Sequence, residues 1–349
     1  MNKIYALTDY KNHFGSKWKA SPYRSGFDKN LIKKYFNKYG FEPEFIQFKD
    51  VVFDRNFWEG KLVIYTSSEE VGLHYKGFIE DVILNLERLG AVILPGFDFL
   101  RANNNKVYME MLRDRILGEK LSGNISRYYG TLDELQSDLK NNIISFPCVV
   151  KRAEGSMSRG VYLANNEKQI ISAVKKFGKT NHYRQRLIDI IRKYKYKGYK
   201  KESVYQQKFV VQPFIPGLEN DWKILVFGNH YYVLKRGIKH NDFRASGSHY
   251  NYKAGSKAGL SYELLDKVKT IYERLNVPHL SLDFAYDGKK SYVHEIQAIY
   301  FGTSTMEFSD DFYIFSGKGW ELENKIPDQE EEYVWGIVHY IQNHPDIIN

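Results

Sequence analysis

Short apolar runs separated by polar segments divide the start of the chain into predicted strands and helices. Residues 61–65 (KLVIY) and 91–94 (AVIL) are predicted to be buried strands. Between them, apolar residues recur at helical spacing from Phe78 to Leu89, and Gly90 ends the predicted helix. A strand–helix–strand unit is typical of an α/β lobe with parallel strands. The run NKIYALT predicts a further strand, and residues 104–117 a further helix.

The middle of the chain shows a different pattern. Thr131 and Glu134 have the spacing of a capping box, which predicts a helix at about 132–140. The runs FPCVVKRA and GVYLA predict two strands around a glycine-rich loop, followed by a helix at about 167–177. Residues 182–201 then contain eight Lys/Arg and one Asp. We interpret this stretch as a solvated helix and loop; contact with an anionic substrate is the alternative.

From residue 208 onward, predicted strands dominate. They are KFVVQPFI, WKILVFG, HYYVLKRGI, HLSLDFAYD and SYVHEIQAI, and one amphipathic helix at about 262–276 lies among them. The chain is therefore predicted to be an α/β (α+β) protein. Its three predicted domains are an N-terminal α/β lobe (1–103), a small central lobe (104–207) and a C-terminal antiparallel-sheet lobe (208–349).

Composition narrows the class of protein. Of 349 residues, 43% are hydrophobic and 27% are charged, as in a soluble globular enzyme. There are 51 Lys and Arg against 42 Asp and Glu, a formal net charge of +9 that favours anionic partners. The basic residues form no nucleic-acid-binding motif, so nucleic acid is not expected as a partner. No apolar run approaches the roughly 20 residues of a membrane span, so no membrane partner is expected.

The cysteine content and the start of the chain bear on its location. Cys148 is the only cysteine, so an intrachain disulfide is impossible. The start of the sequence lacks the pattern of a signal peptide. Together these features predict a cytoplasmic protein.

The segment FPCVVKRAEGSMSRGV combines a cation with flexible backbone. Lys151 closes an apolar run, and a loop with Gly155, Ser156, Ser158 and Gly160 follows. A lysine is a point charge suited to phosphate, and glycines let backbone N–H groups approach an anion. An ordinary turn between two strands is the alternative. We expect Lys151→Ala to leave the fold intact, because a surface lysine rarely changes stability by more than about 0.5 kcal/mol.

About 60 residues later, the segment VVQPFIPGLEND could bind a nucleoside. Pro213 lacks an N–H, so its position in a sheet must be an edge or a crossover. Its carbonyl and the following N–H could contact an adenine edge, between Gln212 and Phe214. Glu219 and Asp221 could bond ribose hydroxyls. The alternative is an ordinary strand and turn.

Two further segments carry charged groups suited to phosphoryl chemistry. Arg244, in DFRASG, could stabilise charge on a transferred phosphoryl group, or could belong to a flexible basic loop. Asp283, Glu295 and Gln297 lie on successive predicted strands, and their oxygen atoms suit Mg²⁺. A three-residue loop at 288–290 would place Asp287 opposite Ser291 and Asp283 opposite Glu295, on one face with Gln297. An even-numbered loop would instead place His294 opposite Asp283.

Taken in order, these segments resemble the ATP-grasp superfamily, especially its glutamate-ligase (carboxylate–amine ligase) branch. The resemblance runs from about Lys106 to Thr303 and is carried by NKVYMEML, FPCVVKRAEGSMSRGV, VVQPFIPGLENDWKI, DFRASG and LDFAYDGKKSYVHEIQ. It implies that the central lobe is a lid over ATP. Four positions depart from the usual family pattern, namely Pro213, Lys223, Ser246 and Gln297.

The resemblance also implies roles for the candidate residues. Lys106 and Lys151 would contact the ATP phosphates beneath the loop of Gly155, Ser156, Ser158 and Gly160. Gln212, Pro213 and Phe214 would hold adenine, and Asp221 would face the ribose side. Arg244 would bind the γ-phosphate or the acyl phosphate. Asp283, Glu295 and Gln297 would hold Mg²⁺ or Mn²⁺.

The activity implied is that of a carboxylate–amine ligase, which forms an amide and ADP through an acyl phosphate. Its partners would be ATP, a carboxylate and an amine, at least one of them anionic, in a possible homo-oligomer. One alternative is another ATP-grasp reaction, namely carboxylate–thiol ligation or phosphorylation of a hydroxyl. The second is a non-catalytic protein that binds a nucleotide or an anionic polymer.

Overall fold

The computed structural model describes residues 2–155, 160–178 and 183–347, without the side chains of 183–185. Contacts divide the chain into two compact units. The first comprises residues 1–103, 111–123 and 218–349, and the second comprises 104–110 and 124–217. The predicted N-terminal domain thus shares a unit with residues 218–349 of the predicted C-terminal domain, whereas residues 208–217 belong to the second unit.

The elements follow one another along the chain as mixed helices and strands. The helices are α1 (Lys29–Lys38), α2 (Arg55–Trp58), α3 (His74–Arg88), α4 (Phe97–Ala102), α5 (Lys106–Ser122), α6 (Leu132–Lys140), α7 (Glu167–Gly178), α8 (Tyr183–Lys195), α9 (Tyr262–Leu275), α10 (Ser304–Glu307) and α11 (Gln329–Asn343). The strands are β1 (Asn2–Thr8), β2 (Phe41–Gln47), β3 (Leu62–Tyr65), β4 (Val92–Leu94), β5 (Arg127–Thr131), β6 (Cys148–Arg152), β7 (Val161–Ala164), β8 (Gln206–Pro213), β9 (Asn220–Phe227), β10 (His230–Gly237), β11 (Lys253–Ala254), β12 (His279–Tyr286), β13 (Ser291–Gln297), β14 (Phe312–Phe315) and β15 (Trp320–Glu323).

The first unit begins with a parallel sheet in the order β2-β1-β3-β4. The predicted unit of strand, helix and strand is confirmed as β3, α3 and β4. Gly90 lies just beyond α3 with a φ of +89°, a conformation that glycine adopts without steric cost. The predicted strand at the start of the chain is confirmed as β1.

The last helix explains why the two ends of the chain share a unit. Tyr333 and Ile337 of α11 are buried in the same apolar cluster as Ile4 of β1 and Phe36 of α1. The helix therefore covers one face of the parallel sheet and completes its core. Dividing the sequence into three consecutive domains does not predict this contact, because the hydrophobic pattern does not show which sheet a helix covers.

The first unit also contains an antiparallel sheet, in the order β13-β12-β9-β10-β14-β15 with β11 added to β10. The strands predicted after residue 220 are confirmed here, as is the helix predicted at 262–276, which is α9. Strands β11, β14 and β15 were not predicted, and β11 has only two residues. Strands β14 and β15 have four residues each, too short an alternation to identify.

The second unit contains a sheet in the order β5-β8-β6-β7. Leu135 of α6 and Ile170 of α7 are fully buried against this sheet with Val150 of β6. The capping box of α6 is confirmed, because the Glu134 N–H donates to Thr131 Oγ1 at 3.2 Å and Glu134 Oε2 accepts from the Thr131 N–H at 2.9 Å.

Helix α5 begins at Lys106 and ends at Ser122, several residues beyond its predicted end. Gly118 within it has a φ of 63° and a ψ of 176°, so the helix is interrupted there. Residues before Met111 belong to the second unit and the remainder to the first. None of the helices in the described residues has the length and apolar composition of a membrane span.

A histidine in the first unit leads to a test of acid stability. His279 of β12 is 2% exposed, and burial lowers its pKa to about 3. The unfolded chain takes up this proton near pH 6.5, so stability is lost as pH falls below that value. We expect His279→Gln to reduce the slope of unfolding free energy between pH 6 and 4 by about 1 kcal/mol per pH unit. Denaturant unfolding at several pH values measures this slope.

His74 is the control for this test, because it is an exposed histidine of the same unit. His74→Gln should leave the slope unchanged. An unchanged slope in His279→Gln would contradict the assignment of a buried neutral imidazole.

Candidate functional site

Lys151 lies on β6 of the second unit, at the end of the apolar run that the sequence singled out. It pairs with Val161 on β7 and with Val210 on β8. Its side chain is 13% exposed, and Nζ lies 3.5 Å from Oε1 of Glu110, whose side chain is fully buried. Lys151 is therefore a largely desolvated cation beside a buried carboxylate and not an ordinary surface lysine.

Glu110 is the centre of a polar cluster that sequence analysis missed. Its Oε2 accepts from Gln212 Nε2 and from Ser126 Oγ, both at 2.9 Å. Gln212 Nε2 also donates to Ser126 Oγ at 2.8 Å. We call Glu110, Ser126, Lys151 and Gln212 the Lys151 cluster. A signal was present, since Glu110 follows Lys106 by one helical turn in the segment NKVYMEML.

Gln212 is a member of the Lys151 cluster, and its contact with adenine stays a prediction. It is 4% exposed, and its amide nitrogen donates inside the Lys151 cluster. What it does here is hold the Glu110 carboxylate that faces Lys151.

Lys106 and Asn104 hold the start of the glycine-rich loop. The Lys106 N–H donates to the Ala153 carbonyl at 2.8 Å, and Lys106 Nζ donates to the Gly155 carbonyl. The Gly155 N–H donates to Asn104 Oδ1 at 3.0 Å. An ammonium group has three donors, so Lys106 can hold this carbonyl and still contact an anion.

The loop itself is described only at its ends. Gly155 and Gly160 have φ values of 117° and 77°, which favour glycine. The Gly160 carbonyl accepts from the Arg152 N–H at 2.9 Å. Ser156 and Ser158 lie outside the described residues, so their place above the ATP phosphates stays a prediction.

Strand β8 ends at Pro213, which pairs with Cys148 of β6. On its other side, β8 pairs with β5 only as far as Val211. Pro213 thus sits at an edge, where its missing N–H costs no ladder hydrogen bond. The Phe214 N–H donates to the Pro147 carbonyl at 3.1 Å, so the amide expected to contact adenine already has an acceptor.

Asp283 of β12 lies opposite Glu295 of β13, as the sequence predicts, but for a different reason. The loop is even-numbered, because Tyr286 pairs with Ser291. A bulge then shifts the register, so that Phe284 pairs with Val293 and Asp283 with Glu295. The extra residue is His294. The predicted three-residue loop is wrong, and the bulge restores the carboxylate pair that an even loop alone would separate.

The burial pattern supports one shared polar face for this pair. Leu282 and Ile296 are buried at 0% and 1% exposure on the opposite face. Ser281 pairs with Gln297, two residues beyond the carboxylate pair on both strands. Gln297 therefore lies on the face of Asp283 and Glu295 by the period of two.

A buried arginine joins two aspartates on adjacent strands of the same sheet. Arg236 of β10 is 5% exposed. It donates to Asp221 of β9 from Nε at 2.7 Å and from Nη2 at 2.8 Å. Its Nη2 also lies 2.7 Å from Asp283 Oδ2, and Lys223 Nζ lies 3.9 Å from Asp283 Oδ1. We call these four residues the Arg236 network.

The two aspartates of the Arg236 network have pKa values shifted in opposite directions. Burial and the nearby Asp283 carboxylate raise the pKa of Asp221 above its usual range, against the effect of Arg236. Burial would also raise the pKa of Asp283, but Arg236 and Lys223 lower it. Asp283 is therefore the carboxylate that stays ionised more readily.

The network changes the expectation for Asp221. Both of its carboxylate oxygens accept from Arg236, and the residue is 7% exposed. Asp221 is therefore buried against Arg236, and its contact with ribose stays a prediction. Glu219, which precedes β9, is exposed and keeps its carboxylate at the surface.

The oxygen atoms on this face are suited to a divalent cation. Asp283 Oδ1 is buried and has no hydrogen-bond partner among the described residues. Glu295 and Gln297 add oxygen donors on the same face, a hard-ligand set of the kind Mg²⁺ and Mn²⁺ prefer. No group of three or more His, Cys, Asp or Glu suited to a metal occurs in the described part of the chain, so an amide ligand would be required.

Arg244 lies in the loop between β10 and β11. Its Nε donates to Asp242 Oδ1 at 2.9 Å, and its backbone N–H donates to the same oxygen at 3.1 Å. Its hydrogen bond to Asp242 raises the pKa of Arg244, which keeps the guanidinium charged. The side chain is 40% exposed, so Arg244 presents a cation to solvent on a locally braced loop.

Comparison with solved protein structures identifies the fold of this chain. No protein-family model matches the sequence, and no curated protein matches it. The structure of D-cycloserine synthetase DcsG matches with a TM-score of 0.53 at 12% identity, over 96% of this chain and 98% of DcsG. ATP-grasp ligase PsnB, in complex with a phosphomimetic variant of a minimal precursor, Mg and ADP, matches with a TM-score of 0.50 at 9% identity, over 97% of this chain and 99% of PsnB. The chain has the fold of the ATP-grasp ligases.

Proposed function

We propose that this protein is an ATP-dependent carboxylate–amine ligase that forms an amide through an acyl phosphate. The observation that carries the proposal is the Asp283–Glu295 pair on one sheet face, with Asp283 Oδ1 lacking a hydrogen-bond partner among the described residues. Two carboxylates directly opposite each other repel. Arg236 accounts for Asp283 alone, whereas a cation site would use both carboxylates.

ATP would be gripped by residues of the second unit. Lys151 supplies a cation whose position is set by the Lys151 cluster, and Lys106 supplies another at the start of the loop. Gly155, Ser156, Ser158 and Gly160 would cover the phosphates. The segment from Gln212 to Phe214 and the exposed Glu219 would contact the nucleoside, with Asp221 acting indirectly through Arg236.

Asp283, Glu295 and Gln297 would hold Mg²⁺ or Mn²⁺. When bound, such an ion neutralises phosphate charge and favours in-line transfer of the γ-phosphoryl group. The structure of PsnB contains Mg and ADP, which supports this choice of ligands for the shared fold.

The reaction has two steps. A substrate carboxylate oxygen attacks the γ-phosphorus, the bond to ADP breaks and an acyl phosphate forms. The amine nitrogen then attacks the acyl carbon, phosphate leaves and the nitrogen loses a proton as the amide forms. Arg244 would stabilise phosphate charge in both steps. The net charge of +9 supports an anionic carboxylate or amine partner.

The direct test uses the purified full chain with ATP, Mg²⁺ and a panel of amino acids paired with carboxylate acceptors. The expected result is an amide, detected by mass spectrometry, together with equal amounts of ADP and phosphate. A thioester or a phosphorylated hydroxyl would indicate another ATP-grasp reaction. ATP binding without turnover for any pair would favour a nucleotide-sensing protein.

Arg244 offers a test of transition-state charge stabilisation. We expect Arg244→Ala to lower kcat by about a hundredfold, because phosphoryl charge develops most in the transition state, with a much smaller change in ATP affinity. Steady-state kinetics and nucleotide titration measure the two effects. Lys239→Ala, which removes an exposed cation from the same loop, should change neither. Equal losses in kcat and ATP affinity would contradict the assigned role.

A further inference from the structure

Helix α8 exposes an apolar stripe that the proposed ligase reaction does not use. Leu187, Ile190, Ile191 and Tyr194 are 64%, 45%, 63% and 87% exposed. Their spacing of i, i+3, i+4 and i+7 places them on one face of the helix. A solvated surface helix normally turns this face toward the protein core, so the stripe requires another explanation.

The orientation of α8 is set by a polar contact on another side of the helix. Asp189 is 5% exposed, and it accepts a hydrogen bond from Tyr199 Oη at 2.8 Å. Arg192 Nη1 lies 4.0 Å from the same carboxylate. The helix thus buries an aspartate while its apolar stripe faces outward.

Lysines flank the stripe and continue beyond the end of the helix. They are all exposed: Lys193, Lys195, Lys197, Lys200 and Lys201. None of them takes part in an ion pair with another described residue. Tyr196, which is 52% exposed, lies beneath the Lys195 ammonium at 5.4 Å. The solvated helix expected from sequence accounts for these lysines but not for the apolar stripe between them.

The chemistry of these side chains indicates which kind of partner binds the apolar stripe of α8. A second copy of this chain would bring a second set of lysines against the first, which is repulsive. Arg192 of α8 already faces Asp189 and Tyr199. The exposed cations that continue beyond the stripe are lysines, which are strongly hydrated point charges and lack the arginine fork that favours specific pairing with carboxylates. A diffuse negative surface needs only point charges. Tyrosines beside the stripe, at Tyr194 and Tyr196, suit the boundary between headgroups and acyl chains.

We propose that α8 docks on a bilayer surface rich in anionic phospholipids, with the stripe inserted at the level of the acyl chains. The expectation of no membrane partner rested on the lack of a membrane span, and an interfacial helix needs none. Each lysine near such a surface adds about 1 kcal/mol of attraction, and the stripe adds apolar burial. This proposal is independent of the ligase reaction.

Flotation of the full chain with vesicles tests the proposal. Phosphatidylcholine vesicles with and without phosphatidylglycerol are the probes. We expect binding to the anionic vesicles, weakened by salt. Lys193→Gln and Lys197→Gln should each lower the partition coefficient about fivefold. Leu187→Ser with Ile191→Ser should lower it by more than about tenfold.

Matched controls come from the same unit. Lys140→Gln and Lys168→Gln remove exposed lysines elsewhere, and Ile125→Ser removes an exposed apolar side chain. These variants should bind anionic vesicles like the wild type. All the substituted residues are exposed, so circular dichroism and thermal unfolding should change little.

Three outcomes would overturn the proposal. One is equal or absent binding to the two kinds of vesicle. Another is binding that the control variants lose as strongly as the α8 variants. The third is binding of polyglutamate in solution through the same lysines without vesicle binding, which would assign the surface to an acidic protein partner.

Discussion

Glu295→Gln is expected to lower ligase turnover by at least about a hundredfold while leaving the folded protein as stable as before, or slightly more stable. The loss arises because an amide is a poorer cation ligand than a carboxylate. The stability is preserved because Glu295 lies opposite Asp283, and replacing it removes a like charge. A loss of activity without a loss of stability distinguishes a functional carboxylate from a structural one.

Binding of Mn²⁺, measured by electron paramagnetic resonance with the purified chain and an ATP analogue, separates the metal role from general damage. We expect Glu295→Gln to weaken Mn²⁺ binding by at least about tenfold. Glu323→Gln, an exposed position on β15 of the same sheet, is the matched control and should bind Mn²⁺ normally. Normal Mn²⁺ binding and turnover in Glu295→Gln would remove the metal site and, with it, the main support for the ligase.

Asp283→Asn is a less clean test of the same site. It removes the partner of Arg236 at 2.7 Å and leaves Lys223 near a neutral group. Removing one partner of a buried ion pair costs several kcal/mol, so loss of activity could reflect loss of the fold. The outcome of Glu295→Gln therefore decides the question.

Lys151→Ala is expected to reduce ATP affinity by at least about a hundredfold, because a desolvated cation contributes strongly to phosphate binding. It should also destabilise the fold by about 1–3 kcal/mol, since buried Glu110 loses the lysine beside it. The structure thus corrects the smaller cost expected for a surface lysine. Nucleotide titration and denaturant unfolding measure the two effects.

A double variant separates the two consequences. In Lys151→Ala with Glu110→Gln, the carboxylate charge is removed as well, so we expect part of the stability to return while ATP affinity stays low. Lys168→Ala, an exposed position on α7, should change neither quantity. Recovery of ATP affinity in the double variant would mean that Lys151 acts only on the structure.

The sequence was informative where a local pattern has one structural solution. The alternation of apolar residues identified most strands of the antiparallel sheet, and Thr131 with Glu134 identified the start of α6, because these signals involve neighbours a few residues apart. The opposition of Asp283 and Glu295 was also predicted, but by an incorrect loop length. A bulge at His294 produced the same pairing, and the sequence carries no simple signal for such a bulge.

By itself, the sequence determined the α/β class, the strands and helices with a clear apolar period, and the chemical types available for phosphate and cation binding. Only the tertiary structure decided that Arg236, one of several cations in a basic segment, is buried between Asp221 and Asp283. It alone decided that Glu110 faces Lys151, and that α11 covers the first sheet. These contacts join residues that are distant along the chain. Strand order and helix packing decide which charged side chains are buried and paired. Local hydrophobic patterns do not encode strand order or helix packing.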